Sequence, residues 1–403
     1  MFVIGSNSAS TGYNLTRSLR LRRSATAYLN RTPASASNRQ KFTISVWYKA
    51  GGISAGVEAN ANILNAGGDG SSVLIAGNSA FGGTYQDRLL YREGGTTLLY
   101  WPMVFRDPAS WYHIVFAMDT TQATAANRTK LYVNGVDQGA FSGTAITQNA
   151  STSINNTSAH YINTFNGTFY PSDLYYTEYN FVDGQQLTPS SFGSTNATTG
   201  VWQPAAYTGS YGTNGFYLKF ADTSDNTAAT IGKDSSGNGN NWTPNNFSVT
   251  AGAGNDSLVD SPTSYGTDTG VGGTVRGNYA TLNPLQGTGI TAEFFTSNGN
   301  LDLNVTNNSG YRNVASTFSP EGFKGYCEIT MATATNFFAG FAFESLPPTN
   351  VQYQSTGTFY IGDAGNVKDG PNTITGSYTP AISSGDILQI AFDFTGGARN
   401  VWF

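Results

Sequence analysis

The stretch KDSSGNGNNW (Lys233–Trp242) sets Asp234, Ser236 and Asn238 at alternate positions, with Gly239 next. Oxygens spaced this way converge on one side of a loop when a glycine permits a sharp turn, and D-x-polar-x-N-G is the first half of a Ca2+ loop. The twelfth position, however, is Asn245 where an EF-hand has a bidentate Glu, and no helical period flanks the stretch. The other reading is a junction, in which Asn and Asp side chains bond the local backbone and Gly237 and Gly239 supply positive φ. We expect chiefly a junction. Ca2+ on Asp234, Ser236 and Asn238 is the one cofactor the sequence suggests.

A second candidate is FNGTFYPSDLYYTEY (Phe165–Tyr179), in which Tyr170, Tyr175, Tyr176 and Tyr179 stand among Asn, Asp and Glu. Sugars lay their C–H faces on flat rings and offer hydroxyls to amides and carboxylates, so these four tyrosines are glycan-binding candidates. Alternating Tyr also serves as ordinary cross-strand packing, and packing is the favoured reading of the stretch.

Catalytic groups are sparse. Glycoside hydrolysis needs two carboxylates about 5–9.5 Å apart, yet none of the seven Glu (58, 93, 178, 293, 321, 328, 344) has an acid two positions away. The two histidines, His113 in WYHIVFAM and His160 in TSAHYIN, read as packed structural residues. No G-x-S-x-G or P-loop occurs, and GGTVRG near Gly272 lacks the strand–helix context of a phosphate loop. The single cysteine, Cys327, excludes an internal disulfide framework and reads as a small core residue of the strand GYCEIT. An enzyme is not expected.

Charge is scarce, at 11% of residues, and unevenly placed. Residues 1–50 hold eight Lys/Arg, among them Arg17, Arg20, Arg22 and Arg23, and no acid. These four arginines are assembly-interface candidates for an acidic partner; the other reading is a solvated basic strand face. No recognised module surrounds them, so nucleic acid is not an expected partner. The N-terminus lacks the charged start and length of a signal peptide, and no run of 18 apolar residues exists, so membrane insertion is not expected.

The elements that must position these residues are strands. KFTISVWYKA places Phe42, Ile44, Val46 and Tyr48 on one face, and WYHIVFAM does the same with Tyr112, Ile114, Phe116 and Met118. GFYLKFAD alternates Phe216, Leu218 and Phe220, and DILQIAFDF alternates Leu388, Ile390, Phe392 and Phe394. KLYVNGVDQ is a hairpin with Asn134-Gly135 suited to a type I′ turn, and PSSFG (Pro189–Gly193) is a single helical turn. Small polar residues with many aromatics and no 3.6-residue period predict an all-β chain of tandem β-sandwiches. Residues 246–278, rich in Gly, Ser, Thr and Asp, read as a connector. RNVWF ends on a strand in progress, so the second sandwich is expected to be completed by further residues or another chain.

Several stretches together carry a resemblance: SLRLRRSATAYLNRTP, FTISVWYKAGG, FRDPASWYHIVFAMDTTQATAANRTKLYVNG, FVDGQQLTPSSFG, TGVWQPAAYTGSYGTNGFYLKFADTS and IGKDSSGNGNNWTPNNFSVTAGAGNDSLVDSPTSYG. From Ser18 to Gly266 the chain resembles the laminin-G-like, concanavalin A-like jelly-roll module of tail-fibre and other virion proteins of marine bacteriophages. GYCEITM, FAGFAFE, YIGD and SGDILQIAFDFTGGARNVWF resemble a SPRY-like sandwich, with KGYCEI in place of the usual W-Y-W-E opening. RLRR also departs from the phage pattern. The resemblance implies tandem concanavalin-like jelly rolls: an N-terminal segment (1–17), a laminin-G-like domain (18–245), the connector (246–278) and a SPRY-like sandwich (279–403). It implies a virion protein made in the host bacterial cytoplasm and carried on the tail or capsid surface. Its expected role is a tail fibre or adhesin that contacts host-surface glycan, with other virion proteins and its own copies, as a homotrimer, for partners. The alternative is a capsid-decorating or other structural virion protein without a ligand of its own.

Overall fold

A computed structural model describes residues 13–51, 60–68, 70–77, 80–252, 254–263, 277–287, 294–306, 312–319, 324–335, 337–342, 358–362, 364–369, 372–373, 381–395 and 400–403. Most of the N-terminal segment (1–12) and the GGTVRG stretch up to residue 276 lie outside these residues. The chain is all-β and divides into two units. Ile4–Asn278 with Thr296–Leu303 form the first; Tyr279–Phe295 and Asn304–Phe403 belong to the second.

Two eight-stranded antiparallel sheets build the first unit. One runs in the order Val136–Asp137, Thr129–Val133, Tyr112–Asp119, Lys41–Ala50, Leu174–Asp183, Ser18–Leu21 and Ser257–Leu258, with Phe216–Leu218 also paired to Leu174–Asp183. The other runs Ser142–Gly143, Thr96–Val104, Arg88–Glu93, Ser71–Ile75, Ala61–Ala66, His160–Ile162, Tyr28–Arg31 and Thr243–Asn245. The alternating residues expected on one face meet here. Phe42, Ile44, Val46, Tyr48, Ile114, Phe116 and Met118 from the first sheet join Ile63, Val73, Ile75, Tyr91, Leu99 and Trp101 from the second in one buried core. Asn134 (φ 48°) and Gly135 (φ 82°) make the expected primed turn between paired Val133 and Val136. Gly135 is required twice over, because a Cβ there would lie 2.4 Å from the Trp202 ring. PSSFG supplies the short 3-10 turn Pro189–Ser191.

The outer face of the first sheet is covered, which alternation does not foretell. Strand Leu174–Asp183 is buried at every position. Tyr13–Leu15, the 185–211 segment with its short paired strands Gly193–Thr195 and Trp202–Pro204, and the chain around edge strand Ser257–Leu258 cover Trp47, Val115, Trp111, Tyr175 and Val182. The connector expected over 246–278 is therefore corrected. Its described residues belong to the first unit, where Ser257 and Leu258 pair with Leu19 and Ser18 and Asp256 is fully buried.

In the second unit, Lys324–Thr330, Ile387–Asp393 and Asn400–Trp402 form one sheet. Phe338–Ala342, Thr358–Gly362, Val367–Asp369 and Asn372–Thr373 form another. Ile361, Val367, Leu388 and Ile390 meet between them, with half-buried Cys327 packed alongside. Burial raises the Cys327 thiol pKa, which keeps it protonated and inert. Among the described residues no helix is long and apolar enough to cross a membrane.

Candidate glycan-binding site

The four candidate tyrosines part company. Tyr175, Tyr176 and Tyr179 are fully buried, so their assignment to glycan binding is corrected. Tyr176 and Tyr179 point into the core, where their hydroxyls donate to the Asn62 and Ile63 carbonyls at 3.4 and 2.8 Å. Tyr175 lies on the opposite face of the same strand, beneath the covering segments, and donates to the Gly299 carbonyl at 2.5 Å. Period two along the strand, with one bulge between Thr177 and Asn180, places them so.

Tyr170 alone of the four is exposed, at 38%, next to Phe169 at 53%. Both sit on the loop from His160–Ile162 to Leu174–Asp183. Asn163 staples the loop base: its amide donates to the Ala27 and Ser172 carbonyls at 2.9 and 3.0 Å and accepts from Ser172 N–H at 3.2 Å. Within the loop, Phe165 N–H donates to the Phe169 carbonyl and Gly167 N–H to Thr164 Oγ1, each at 3.0 Å. The ring of Tyr170 meets Phe165 edge-on at 6.3 Å and Phe169 at 6.0 Å.

Beneath Gly167 lie two further rings that the sequence reading missed. Tyr28 and Tyr161 stack obliquely at 6.2 Å. They occupy the face of the second sheet opposite buried Leu29 and Ile162. Register puts Asn30 beside Tyr161 and Asn245 beside Tyr28, and Asn245 donates to Asn30 Oδ1 at 2.7 Å. Period-two reading of AYLNR and AHYIN would have put Tyr28 and Tyr161 on outward faces; only their cross-strand meeting was hidden. The result is two ring clusters, Phe165–Phe169–Tyr170 on the loop and half-exposed Tyr28–Tyr161 on the sheet, that approach each other at Gly167, with amides beside the second.

The Asp234 loop closes on itself. The Asp234 carboxylate accepts from Tyr217 N–H at 2.9 Å and from Ser236 N–H, Ser236 Oγ and Asn240 N–H at 2.8 Å each. Asn238 turns its amide nitrogen to the Gly212 and Gly215 carbonyls. Four protein donors saturate the carboxylate, so these residues do not fit a Ca2+ site. Among the described residues no group of three or more His, Cys, Asp or Glu could hold a metal.

For Arg20 and Arg22 the assembly-interface reading is also corrected. Arg20 is 2% exposed and pairs through Nε with Asp256 at 3.1 Å. Arg22 joins the same carboxylate at 2.7 and 2.9 Å. Arg17 donates to the Ser257 carbonyl, and Arg23 N–H to Asp173. Within the basic segment, Arg20 and Arg22 pair with Asp256 and Lys49 with Asp260, so these three cations are spent inside the chain. A missed signal was available: Asp256 and Asp260 stand in a stretch with one basic residue, as if complementary to a segment with no acid.

Both histidines pack as expected. His113 lies between the Trp47 and Trp202 rings, at 5.0 and 5.9 Å. His160 accepts from Asn155 N–H and donates from Nδ1 to the Ser158 carbonyl at 2.8 Å. Of the seven Glu, 58, 293, 321 and 344 lie outside the described residues. Glu178 is buried on the bulge at φ 51° and accepts from Tyr13 at 2.9 Å and Tyr217 at 2.6 Å.

No family model matches the chain, and no curated protein matches it in sequence. Among solved structures it is similar to a candidate carbohydrate-binding protein from Bacteroides ovatus (18% identity, TM-score 0.37), over 58% of this chain and 59% of that one. It is also similar to domains LG4-5 of the mouse laminin α1 chain (9% identity, TM-score 0.31), over 97% of this chain and 76% of that one. A third likeness is to the receptor-binding domain of a botulinum neurotoxin of mosaic serotype C/D (11% identity, TM-score 0.29), over 46% and 42%. The chain thus spans about three fifths of the Bacteroides protein. Likenesses this weak carry no argument about ligand. The β-sandwich rests on the registers above.

Proposed function

We propose that this chain is a non-catalytic glycan-binding module, and that its first sandwich engages the sugar at the Phe165–Tyr170 loop. The single observation that carries this reading is the exposed Phe169–Tyr170 pair, held by a stapled loop over Tyr28 and Tyr161. Large exposed rings on a loop ordered in advance cost little entropy on binding. The setting we infer, from the resemblance in the first unit and the SPRY-like pattern in the second, is a phage virion. There a tail fibre or adhesin, closed as a homotrimer, would touch a host-surface glycan. The alternative is a purely structural virion protein without a ligand of its own, in which the basic segment would be interface; the internal pairing of Arg20 and Arg22 leaves fewer cations for such a contact.

A glycan array probed with the full chain and with Phe169→Ala/Tyr170→Ala tests the site. Binding of at least one glycan class, weakened about tenfold or more in the variant, supports it, since stacked rings at binding hot spots are worth this much. Unchanged glycan binding in the variant, or none by either protein, overturns it. Light scattering of the purified chain tests the trimer.

A further inference from the structure

The geometry points to a second binding site, on the other sheet, for a sugar that carries a carboxylate. Gln122, Asn127, Lys130, Tyr132, Gln186, Leu187 and Thr188 line a groove of about 230 Å³. Strand Thr129–Val133 alternates buried Thr129, Leu131 and Val133 with half-buried Lys130 and Tyr132. These two therefore stand on one outward face, about 6.6 Å apart along the strand. Ala117, the cross-strand neighbour of Lys130, is small, while Val115, the neighbour of Tyr132, is buried with Tyr132 and Leu187 packed against its cluster, which fixes the floor of the groove.

Both walls are fixed. On one side Arg128 binds the turn, donating to the Gln122, Ala123 and Ile146 carbonyls at 2.9–3.0 Å. On the other, Thr43 Oγ1 donates to the Gln185 carbonyl at 2.8 Å and accepts from Leu187 N–H at 2.9 Å. Gln186 joins the walls by donating to the Asn127 carbonyl at 2.8 Å.

The open polar groups define the ligand. Among the described residues, Lys130 Nζ, the Tyr132 hydroxyl and the Asn127 side chain have no hydrogen-bond or ion-pair partner. Gln122 and Gln186 spend their amide nitrogens on Asp119 and Asn127, which leaves their oxygens open. Among the described residues Lys130 is the only charged group lining the groove. Asp137, across from Tyr132, lies outside the lining, and its carboxylate accepts from Gly139 N–H. One ring offers a face for sugar C–H groups, neutral amides face hydroxyls, and one ammonium faces a carboxylate. A lone ammonium can also hold phosphate as a point charge; the ring and the amides beside it are what favour a sugar. The groove does not depend on the Phe165–Tyr170 loop.

The experiment is calorimetric titration of the full chain with trigalacturonate, its methyl ester and inorganic phosphate. It is repeated on Lys130→Gln, Tyr132→Ala and Phe169→Ala/Tyr170→Ala. Trigalacturonate binding is expected to weaken about tenfold on esterification, in Lys130→Gln and in Tyr132→Ala, the scale of one charge-assisted contact or one stacked ring. It is expected to hold in the loop variant. Near-ultraviolet circular dichroism checks that the half-exposed positions leave the fold intact. No binding of trigalacturonate, equal binding of the ester, binding unaffected by both groove substitutions, or phosphate bound as tightly would each overturn the site. Loss confined to the loop variant would transfer the acidic sugar to the aromatic loop and overturn the groove alone.

Discussion

Lys49 Nζ lies 2.9 Å from Asp260 Oδ2, with the two side chains 0% and 4% exposed. The pair spans the outer face of a central strand and the coil that covers it. Trp111 Nε1 donates to the second Asp260 oxygen at 3.0 Å, and the ammonium stands 5.7 Å from the centre of the Tyr175 ring. Arg20 and Arg22 repeat the arrangement on Asp256. An acidic stretch late in the chain thus seals the basic stretch at its start.

Breaking that seal on one side should be costly. Lys49→Met leaves Asp260 buried and charged with its ammonium gone, and the expected loss is about 3–5 kcal/mol of unfolding free energy. Lys49→Met/Asp260→Leu should recover much of it, because two apolar residues leave no buried charge. Denaturant unfolding of the full chain followed by tryptophan fluorescence measures both. A double variant as unstable as the single one would contradict this account.

The tyrosines separate by burial. Tyr176→Ala and Tyr179→Ala empty core volume and should each cost about 3–5 kcal/mol, as large-to-small aromatic changes do. Tyr170→Ala removes an exposed ring, and its unfolding free energy should change by about 0.5 kcal/mol or less. The same denaturant series applied to all three variants tests the contrast. A Tyr170 variant as damaged as the other two would mean that the loop is structural.

How far the sequence speaks follows from these residues. Core-facing positions such as Phe42, Ile44, Ile114 and Phe116 were legible because alternation is a local property of one strand. The Asn134-Gly135 turn was legible because positive φ selects residue type. Burial of Tyr175 was not legible, because the cover comes from segments distant in the chain. The same holds for the Arg20–Asp256 pair, which joins residues 236 apart. Of the candidate site, Tyr170 was visible in sequence; Tyr28 and Tyr161 were not, since only cross-strand register brings them under the loop.

The Asp234 loop should be indifferent to Ca2+. Its carboxylate already accepts four donors, so added Ca2+ or a chelator should leave the melting temperature unchanged. Asp234→Ala leaves the buried Tyr217 N–H without that acceptor and should cost about 1–3 kcal/mol. Thermal unfolding with and without Ca2+ checks the first claim and denaturant unfolding the second. A rise in melting temperature with Ca2+ that vanishes in Asp234→Ala would restore the cation reading.

Two buried groups give pH dependence of opposite sign. Burial pushes Glu178 up to about 7, against hydrogen bonds from Tyr217 and Tyr13 that pull the other way. Between its ordinary value and about 7 the folded chain keeps a proton that the unfolded chain releases, so this group's contribution falls as pH rises through that window. Burial depresses His113 to about 3. Trp202 Nε1 can only donate, and it lies 2.9 Å from His113 Nδ1, so the neutral ring carries its proton on Nε2 and donates to Ser45 Oγ at 2.8 Å. Below about pH 6.5 the unfolded chain takes up a proton that this folded ring refuses, so stability from His113 is lost as pH falls toward about 3. Denaturant unfolding across that range should show the native chain losing stability relative to Glu178→Gln as pH rises. Relative to His113→Gln it should lose stability as pH falls. A difference that stays constant in either series would mean that the substituted group titrates alike in the folded and unfolded chain.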